Sequence, residues 1–407
     1  SRSWNSVNNS MASVSEQYDK CRQECEQLRD QIEKLKESEN KTILLHESKA
    51  KRKVAPLPQL EFDVIKKFKG HNGKIYDADW STDCRLLLSG SQDGHLMVWD
   101  PVTTYKKCTY QLQSASTWVM ACAFSPTTKY IACGGLDNIC SIYKYHDMHV
   151  TANDDQKEAS NNKRMSRFGR ASKIGGKNKS MPSDDAPKSI IKDPPYKTLH
   201  HHEGYLSALE FLNDEKIITA SGDSTCILWD VIKKVPECVF LDHSNDVTSV
   251  AINRRESNIF LSASVDATVK LWDIRLSKCV GEFASDDGDT DVNDVCWYPD
   301  NFAFASGSDD AILRMFDIRA YKQLNEYAKD DIATTVTSVS FSSSGRILFA
   351  ACDDEPFGIG WDVAYSEPVC LLSHTQSVSS LKVAPNGCAI ITSSWDKMLR
   401  LWVGKKS

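Results

Sequence analysis

Val269-Lys270-Leu271-Trp272-Asp273 is a short apolar run closed by an aromatic and an acid, and that ending returns at intervals along the chain. The other copies are Leu96-Met97-Val98-Trp99-Asp100, Ile227-Leu228-Trp229-Asp230, Leu313-Arg314-Met315-Phe316-Asp317 and Ile359-Gly360-Trp361-Asp362, with weaker ones at Ser141-Ile142-Tyr143-Lys144 and Leu401-Trp402-Val403. The aromatic positions 99, 143, 229, 272, 316, 361 and 402 are 44, 86, 43, 44, 45 and 41 residues apart. A period of about 40–45 residues corresponds to one four-stranded sheet per repeat. The doubled gap is then one repeat plus about one repeat length of extra sequence. Seven such units predict an all-β, seven-bladed propeller.

Each repeat carries an aspartate about six residues before its aromatic: Asp93, Asp137, Asp223, Asp266, Asp310, Asp354 or its neighbour, and Asp396. A turn aspartate accepts bonds from nearby backbone N–H groups, which a hairpin corner needs. Four repeats add an upstream histidine, His71, His202, His243 and His374. Paired His and Asp could act as a catalytic dyad, but an enzyme needs one site and a fold needs the same bracing in each repeat, so the pairs read as structural. His200-His201-His202 lacks cysteine or carboxylate at ligand spacing and does not read as a metal centre. No isolated Ser/His/Asp set and no Gly-rich phosphate loop is present either, so no catalytic residue, metal or cofactor is expected.

The first strand-like segment, Phe62 to Phe68, is orphaned from the repeat that follows it and predicts a clasp completing the last sheet and removing an exposed edge. The ring then spans 62–407. Upstream, Val14, Tyr18, Cys21, Cys25, Leu28, Ile32 and Leu35 are spaced 4, 3, 4, 3, 4 and 3 residues apart, a heptad seam set among helix formers. Such a helix over 11–40 either lies on the ring or pairs with another helix. The linker at 41–61, with Lys49-Ala50-Lys51-Arg52-Lys53 and Pro56-Leu57-Pro58, favours a partner helix because it separates the seam from the ring. Residues 1–10 read as a disordered or non-native start, with Met11 as the natural one.

The doubled gap holds 147–195, rich in Asn, Ser, Lys and Asp, and predicts a disordered insertion. Within it Lys163 to Lys179 is basic throughout. Two readings stay open: a solvated tether, or a regulated patch in which Ser166 and Ser172, each two residues after an Arg, accept phosphate and cancel local charge.

The 407 residues carry 49 Lys+Arg against 55 Asp+Glu, a net charge of −6 that argues against a nucleic-acid protein working by bulk charge. No stretch approaches the ~18 apolar residues of a membrane span. The 14 cysteines are spread through apolar segments and read as buried thiols of a reducing compartment. No signal peptide and no C-terminal prenylation cysteine are expected, so membrane attachment would come through partners.

The combination of heptad helix, basic linker, clasp strand and seven repeats resembles the beta subunit family of heterotrimeric G proteins, a WD40-repeat family. The resemblance is carried by Gly70-His71-Asn72-Gly73-Lys74-Ile75-Tyr76, Ser91-Gln92-Asp93-Gly94, Trp118-Val119-Met120 and the run Cys133-Gly134-Gly135-Leu136-Asp137-Asn138-Ile139-Cys140-Ser141-Ile142-Tyr143. Gly204-Tyr205-Leu206-Ser207, Ser221-Gly222-Asp223, Gly307-Ser308-Asp309-Asp310 and Ser394-Trp395-Asp396 continue it. It implies a non-catalytic transducer on the cytoplasmic face of the plasma membrane, attached there only through lipidated partners. The helix would coil with an obligate, lipid-modified gamma subunit. One face of the ring would hold the GDP-bound alpha subunit and afterwards meet effectors in receptor signalling.

The family's alpha and effector surface falls here on Lys74, Tyr76, Met97, Lys106, Trp118, Met120, Leu136, Asn138, Tyr205, Asp246, Asp291, Asn293, Asp309 and Trp395. Trp118, Tyr205 and Trp395 also stand outside the repeat's own aromatic position, in loop-like strings, as contact residues would. Asp246 beside Asn245, and Asp291 beside Asn293, suit a basic partner segment. The chain departs from the family at Thr248, where a Met is usual, at Ser377, where an Arg is common, and at His95, where a Lys is usual. Asp286-Asp287-Gly288-Asp289-Thr290-Asp291 lacks the Gly-His pair. The long insertion points to a fungal or other microbial source, where such subunits serve pheromone response. The other class of reading is a general WD-repeat scaffold or adaptor, which would have no need of the heptads.

Overall fold

The computed structural model describes residues 55–111, 118–145, 190–191, 194–284, 290–329, 334–353 and 356–405. The heptad seam from Val14 to Leu35, the helix expected over 11–40, and Ser166 and Ser172 lie outside the described residues, as does Asp354.

The described residues form seven antiparallel sheets arranged as consecutive blades. Blade 4 shows the plan: Val247–Ile252 is innermost, followed outward by Ile259–Ser264, Thr268–Asp273 and Lys278–Ala284. The two middle strands of each blade are almost wholly buried, as the five- and six-residue apolar runs require when both faces are covered by neighbouring sheets. One core cluster fills each gap between blades. Between blades 3 and 4, for example, Phe240, Phe260, Val247 and Trp272 pack together.

Blade 7 is assembled from both ends of the ring. Phe62–Lys69 pairs antiparallel with Met398–Gly404, from Phe62 opposite Gly404 to Lys69 opposite Met398, with a register shift between Val64 and Lys66. Phe68 is buried against Trp99 of blade 1 and Leu399 of blade 7. The preceding linker is pinned to blade 6: the Leu57 N–H donates to Asp362 Oδ2 at 3.0 Å, the Leu60 N–H to the Val369 carbonyl at 2.7 Å, and Arg346 Nη2 to the Ala55 carbonyl at 2.8 Å.

Part of the interval 147–195 lies among the described residues. Ile190–Ile191 adds a fifth, parallel strand to the outer edge of blade 1, opposite Thr109 and Tyr110. The insertion thus leaves blade 2 after its third strand, Ile139–Lys144, and touches blade 1 before returning to the outer strand Lys197–His200.

The histidines and aspartates brace blades, as the repetition implied. In blade 4 His243 Nδ1 lies 2.7 Å from Asp266 Oδ2, His243 Nε2 lies 2.6 Å from Ser262 Oγ, and the indole N–H of Trp272 donates to the same Oγ at 2.8 Å. Blades 1, 3 and 7 repeat the set with His71, Asp93, Ser89 and Trp99; His202, Asp223, Thr219 and Trp229; and His374, Asp396, Thr392 and Trp402. One hydroxyl joins ring and indole in the buried middle of the sheet, and the carboxylate ties them to the turn at its end. Blade 5 has no histidine there, and Arg314 Nη2 reaches Asp310 Oδ2 at 2.6 Å instead. Among the described residues no cluster of ligating side chains could hold a metal, and His201 packs at the edge of Trp229.

Burial alone would raise the Asp396 carboxyl, but bonds from His374 and Thr375 and the nearby Arg400 bring it down to about 2. A carboxylate held below its unfolded value contributes stability that is complete above that value and is lost as pH falls through the folded one. Replacing Asp396 with Asn should therefore lower stability at neutral pH by on the order of 2 kcal/mol. It should also flatten the loss between about pH 4 and pH 2, read as the urea midpoint against pH. An unchanged acid limb would show that Asp396 is not a linked group.

Candidate protein-binding face

The strand register decides which loops share a face. In each blade the first residue of the innermost strand pairs with the last residue of the second: Ile75 with Ser91, Val119 with Gly135, Leu206 with Ser221, Val247 with Ser264, Val292 with Ser308, Val336 with Cys352 and Val378 with Ser394. The start of each inner strand and the turn after the second strand therefore lie at the same end of the ring. Twelve of the fourteen expected surface residues fall on those two segments, and the structure gathers them on one face.

They touch one another across successive blades. Lys74 Nζ of blade 1 sits 3.4 Å from the ring centroid of Trp395 in blade 7. Tyr76 stacks on Trp118 of blade 2 with centroids 5.8 Å apart and an interplanar angle of 27°. Asn138 of blade 2 donates to the Glu203 carbonyl leading into blade 3 at 2.8 Å. The Tyr205 hydroxyl of blade 3 donates to Asp246 Oδ2 of blade 4 at 2.9 Å. In blade 5 the Asn293 amide donates to Asp309 Oδ1 at 2.6 Å, and the Asp309 N–H donates to the Asp291 carbonyl at 3.0 Å.

Two glycines make this layer possible. A Cβ on Gly222 would lie 2.4 Å from the Tyr205 ring, and one on Gly135 would lie 1.9 Å from the Trp118 carbonyl oxygen, so each loop rests directly on the turn beneath it. Asn138 holds φ at 61°, a left-handed conformation that asparagine tolerates.

The face is chemically divided. Over blades 7, 1 and 2 it presents aromatic rings, Met120, and the exposed Trp118 and Leu136 at 39% and 44%. Over blades 3 to 5 it presents carboxylates. Burial and the neighbouring Asp309 push the Asp291 carboxyl up, as expected where acids crowd. Burial and the bond to Asp246 push the Tyr205 phenol up to about 12.

Two of the fourteen lie off those two segments. Met97 is 4% exposed and belongs to the core between blades 7 and 1, beside Phe68, Trp99 and Leu399. It supports the face from below and offers no contact area. Lys106 begins the outer strand Lys106–Gln111 and pairs with Trp99, at the far end of blade 1 from the turn, so it belongs to the side of the ring.

The departure at His95 changes the chemistry of blade 1. Its Nδ1 lies 3.3 Å from Asp93 Oδ1, whose carboxylate also meets His71. The Asp93 carboxylate raises the His95 pKa, with burial and Lys106 acting in opposition. In blades 3 and 4 the equivalent positions hold Thr225 and Thr268, which give the aspartate an uncharged hydroxyl at 2.6 Å.

The inner strands also line a central cavity of about 360 Å3, which the sequence reading missed. Asp77, Asp79, Glu210 and Asp294 accept N–H groups from the inner strands of the following blades, at Cys122, Phe124, Ile252 and Val339. Burial works against the charge of Lys382 there, but Asp294, Asp77, Asp79 and Glu210 outweigh it and hold the lysine protonated. Burial pushes Asp79 up to about 7. The sequence signal was available: these charged residues stand at the third or fifth position of four of the seven inner strands, alternating with core residues.

A family model described as "G protein beta WD-40 repeat protein" matches residues 195–403, and one described as "WD domain, G-beta repeat" matches 62–100 and 106–144. The chain is 39% identical over 392 residues to a guanine nucleotide-binding protein subunit beta of Dictyostelium discoideum, covering 96% of this chain and 99% of that one. A protein of the same name from Zea mays is 33% identical over 413 residues, with 97% of each chain covered. Among solved structures, the WD40 beta propeller domain of Doa1 is similar in fold, with a TM-score of 0.66 at 19% identity, covering 85% of this chain and 98% of that one.

If Asp93 is what raises His95, an NMR titration of the imidazoles should place His95 above the ordinary histidine midpoint of about 6.5. Asp93→Asn should move that midpoint down. A His95 midpoint unmoved by the substitution would assign its charge to another source.

Proposed function

This chain belongs to the heterotrimeric G protein beta subunit family, a family of non-catalytic WD-repeat propellers, and we propose that its mixed aromatic and acidic face binds the GDP-bound alpha subunit. The observation that carries the reading is the series of contacts between neighbouring blades on this one face: Lys74 on Trp395, Tyr76 on Trp118, Asn138 with the Glu203 carbonyl, and Tyr205 with Asp246. Exposed aromatics held rigid by their neighbours lose little freedom when a partner covers them, and they supply most of the energy of protein interfaces. The carboxylates beside them suit a partner segment with basic side chains and give orientation and on-rate.

The chain contributes a surface and no chemistry to signalling. Binding holds the alpha subunit in its resting state only if the face prefers that state to the activated one, because equal affinity for both would shift nothing. Once the nucleotide is exchanged and the alpha subunit leaves, the same face is open to effectors in receptor signalling, with pheromone response one such route. The heptad seam from Val14 to Leu35 would pair with a helix of the gamma subunit, whose lipid would hold the dimer at the cytoplasmic face of the plasma membrane.

The double substitution Lys74→Ala, Trp118→Ala should weaken binding of a GDP-loaded alpha subunit by roughly thirtyfold or more while leaving the melting temperature within a few degrees. An unchanged affinity would take these residues out of the site. Co-expression with and without residues 11–40, followed by intact mass, tests the second half of the reading. A small lipid-modified partner should co-purify with the full chain and be lost from the truncation, and a partner-free monomer in both cases would refute the coiled-coil pairing.

A further inference from the structure

Seven inner strands begin alike, and their second residue takes one of two roles at the mouth of the ring. Those residues are Tyr76, Met120, Ser207, Thr248, Asn293, Thr337 and Ser379. In five of them the side chain donates to the backbone carbonyl of the first residue in the next blade's inner strand. Ser207 reaches Val247, Thr248 reaches Val292 at 2.6 Å, Asn293 reaches Val336 at 2.9 Å, Thr337 reaches Val378 at 2.6 Å, and Ser379 reaches Ile75 at 2.6 Å. These are five consecutive seams, from blade 3 around to blade 1. The bonds cross between separate sheets.

The two remaining seams, between blades 1 and 2 and between blades 2 and 3, are headed by Tyr76 and Met120. Methionine has no donor, and the Tyr76 ring stacks on Trp118 instead. Because the strand register is shared, a short hydroxyl at 76 or 120 would face the carbonyl of Val119 or Leu206 as its counterparts face theirs. The ring thus does without the same bond at two neighbouring seams. Both positions hold residue types enriched at protein contacts, beside the exposed Trp118 and Leu136.

We infer that this position decides what the mouth of the ring recognises: Tyr76 and Met120 have exchanged bracing for partner contact, whereas Thr248 keeps the brace and ends the apolar footprint at blade 4. Beyond Thr248 the face is the carboxylate arc of Asp246, Asp291 and Asp309. The fitting partner presents apolar side chains to blades 1 and 2 and basic ones to blades 4 and 5. A partner whose apolar segment runs on to blade 4 meets a methyl and an occupied hydroxyl there, not a flexible thioether. The inference rests on the face being the alpha-binding surface.

The test uses the full chain co-expressed with its small partner and two substitutions, Met120→Thr and Thr248→Val. Met120→Thr should hold or raise the melting temperature, by about 1–2 °C, and weaken binding of a GDP-loaded alpha subunit about tenfold or more. Thr248→Val should lower the melting temperature by a similar amount and leave that affinity within about twofold. The inference is overturned if Met120→Thr destabilises as much as Thr248→Val, which would make Met120 a packing residue. It is equally overturned if Thr248→Val costs affinity without stability. If the unmodified chain binds no alpha subunit, the functional reading falls and takes the recognition half with it, while the two melting temperatures still decide whether this position braces the ring.

Discussion

A ring of sheets has no stable open form, because each blade covers its apolar face with the next one and an open ring would leave two faces and an edge in water. Closure is therefore the constraint on which the rest of this structure depends. It is met by Phe62–Lys69 pairing with Met398–Gly404, which makes the last blade out of both ends of the repeat array. Phe68, buried against Trp99 and Leu399, locks the closing strand into the seam between blades 7 and 1. Pairing of that kind joins residues more than 300 positions apart, so the entropy of closure is recovered only when all intervening blades are in place.

Once the ring is closed, order within and between blades comes from small polar sets rather than from more apolar area. The His-Asp-hydroxyl-Trp sets tie turn to strand inside blades 1, 3, 4 and 7. The inner-strand carboxylates and hydroxyls tie one blade to the next through backbone N–H and C=O groups. Buried polar groups of this kind are costly unless satisfied, and satisfied they fix one arrangement. A scaffold braced at so many points can place Trp118, Tyr205 and Trp395 on loops without needing those loops for stability. That is the condition under which exposed aromatics are free to serve a partner.

The fold was legible because a period near 44 residues survives where single strands are ambiguous. The same periodicity showed His243 and Asp266 to be bracing, since the His and Asp pair recurs in register in other repeats. Two of the expected site residues stand apart from the gathered loops for physical reasons. Met97 lies in a strand covered on both faces, so alternation carries no information about which of its side chains reach the surface. Lys106 stands close in sequence to face residues yet starts an outer strand, and only the register with Trp99 shows that it is at the other end of the blade. The brace at the second inner-strand position was written in Val247-Thr248, Val336-Thr337 and Val378-Ser379. It was missed because a short polar residue in a strand has no distinctive signature until its acceptor is known. Ile190–Ile191 was lost in the polar composition around it, since a two-residue strand is set by the edge it meets and not by its own sequence.

The linker adds a spatial consequence to the division of the mouth. Its contacts with Asp362, Val369 and Arg346 place the chain from Ala55 onward against blade 6, by the turn joining Phe357–Asp362 to Glu367–Ser373. That turn is at the opposite end of the strands from the Trp395 and Trp118 loops, because successive antiparallel strands turn at alternate ends. The described chain thus enters the ring, at Ala55, at the end away from the aromatic and acidic face. The linker and the face lie at different ends of the same closed ring, so the linker does not cover the face. Exchange at the face would then be controlled by competition for its residues and by the conformation of the partner, with no change of shape required of the propeller.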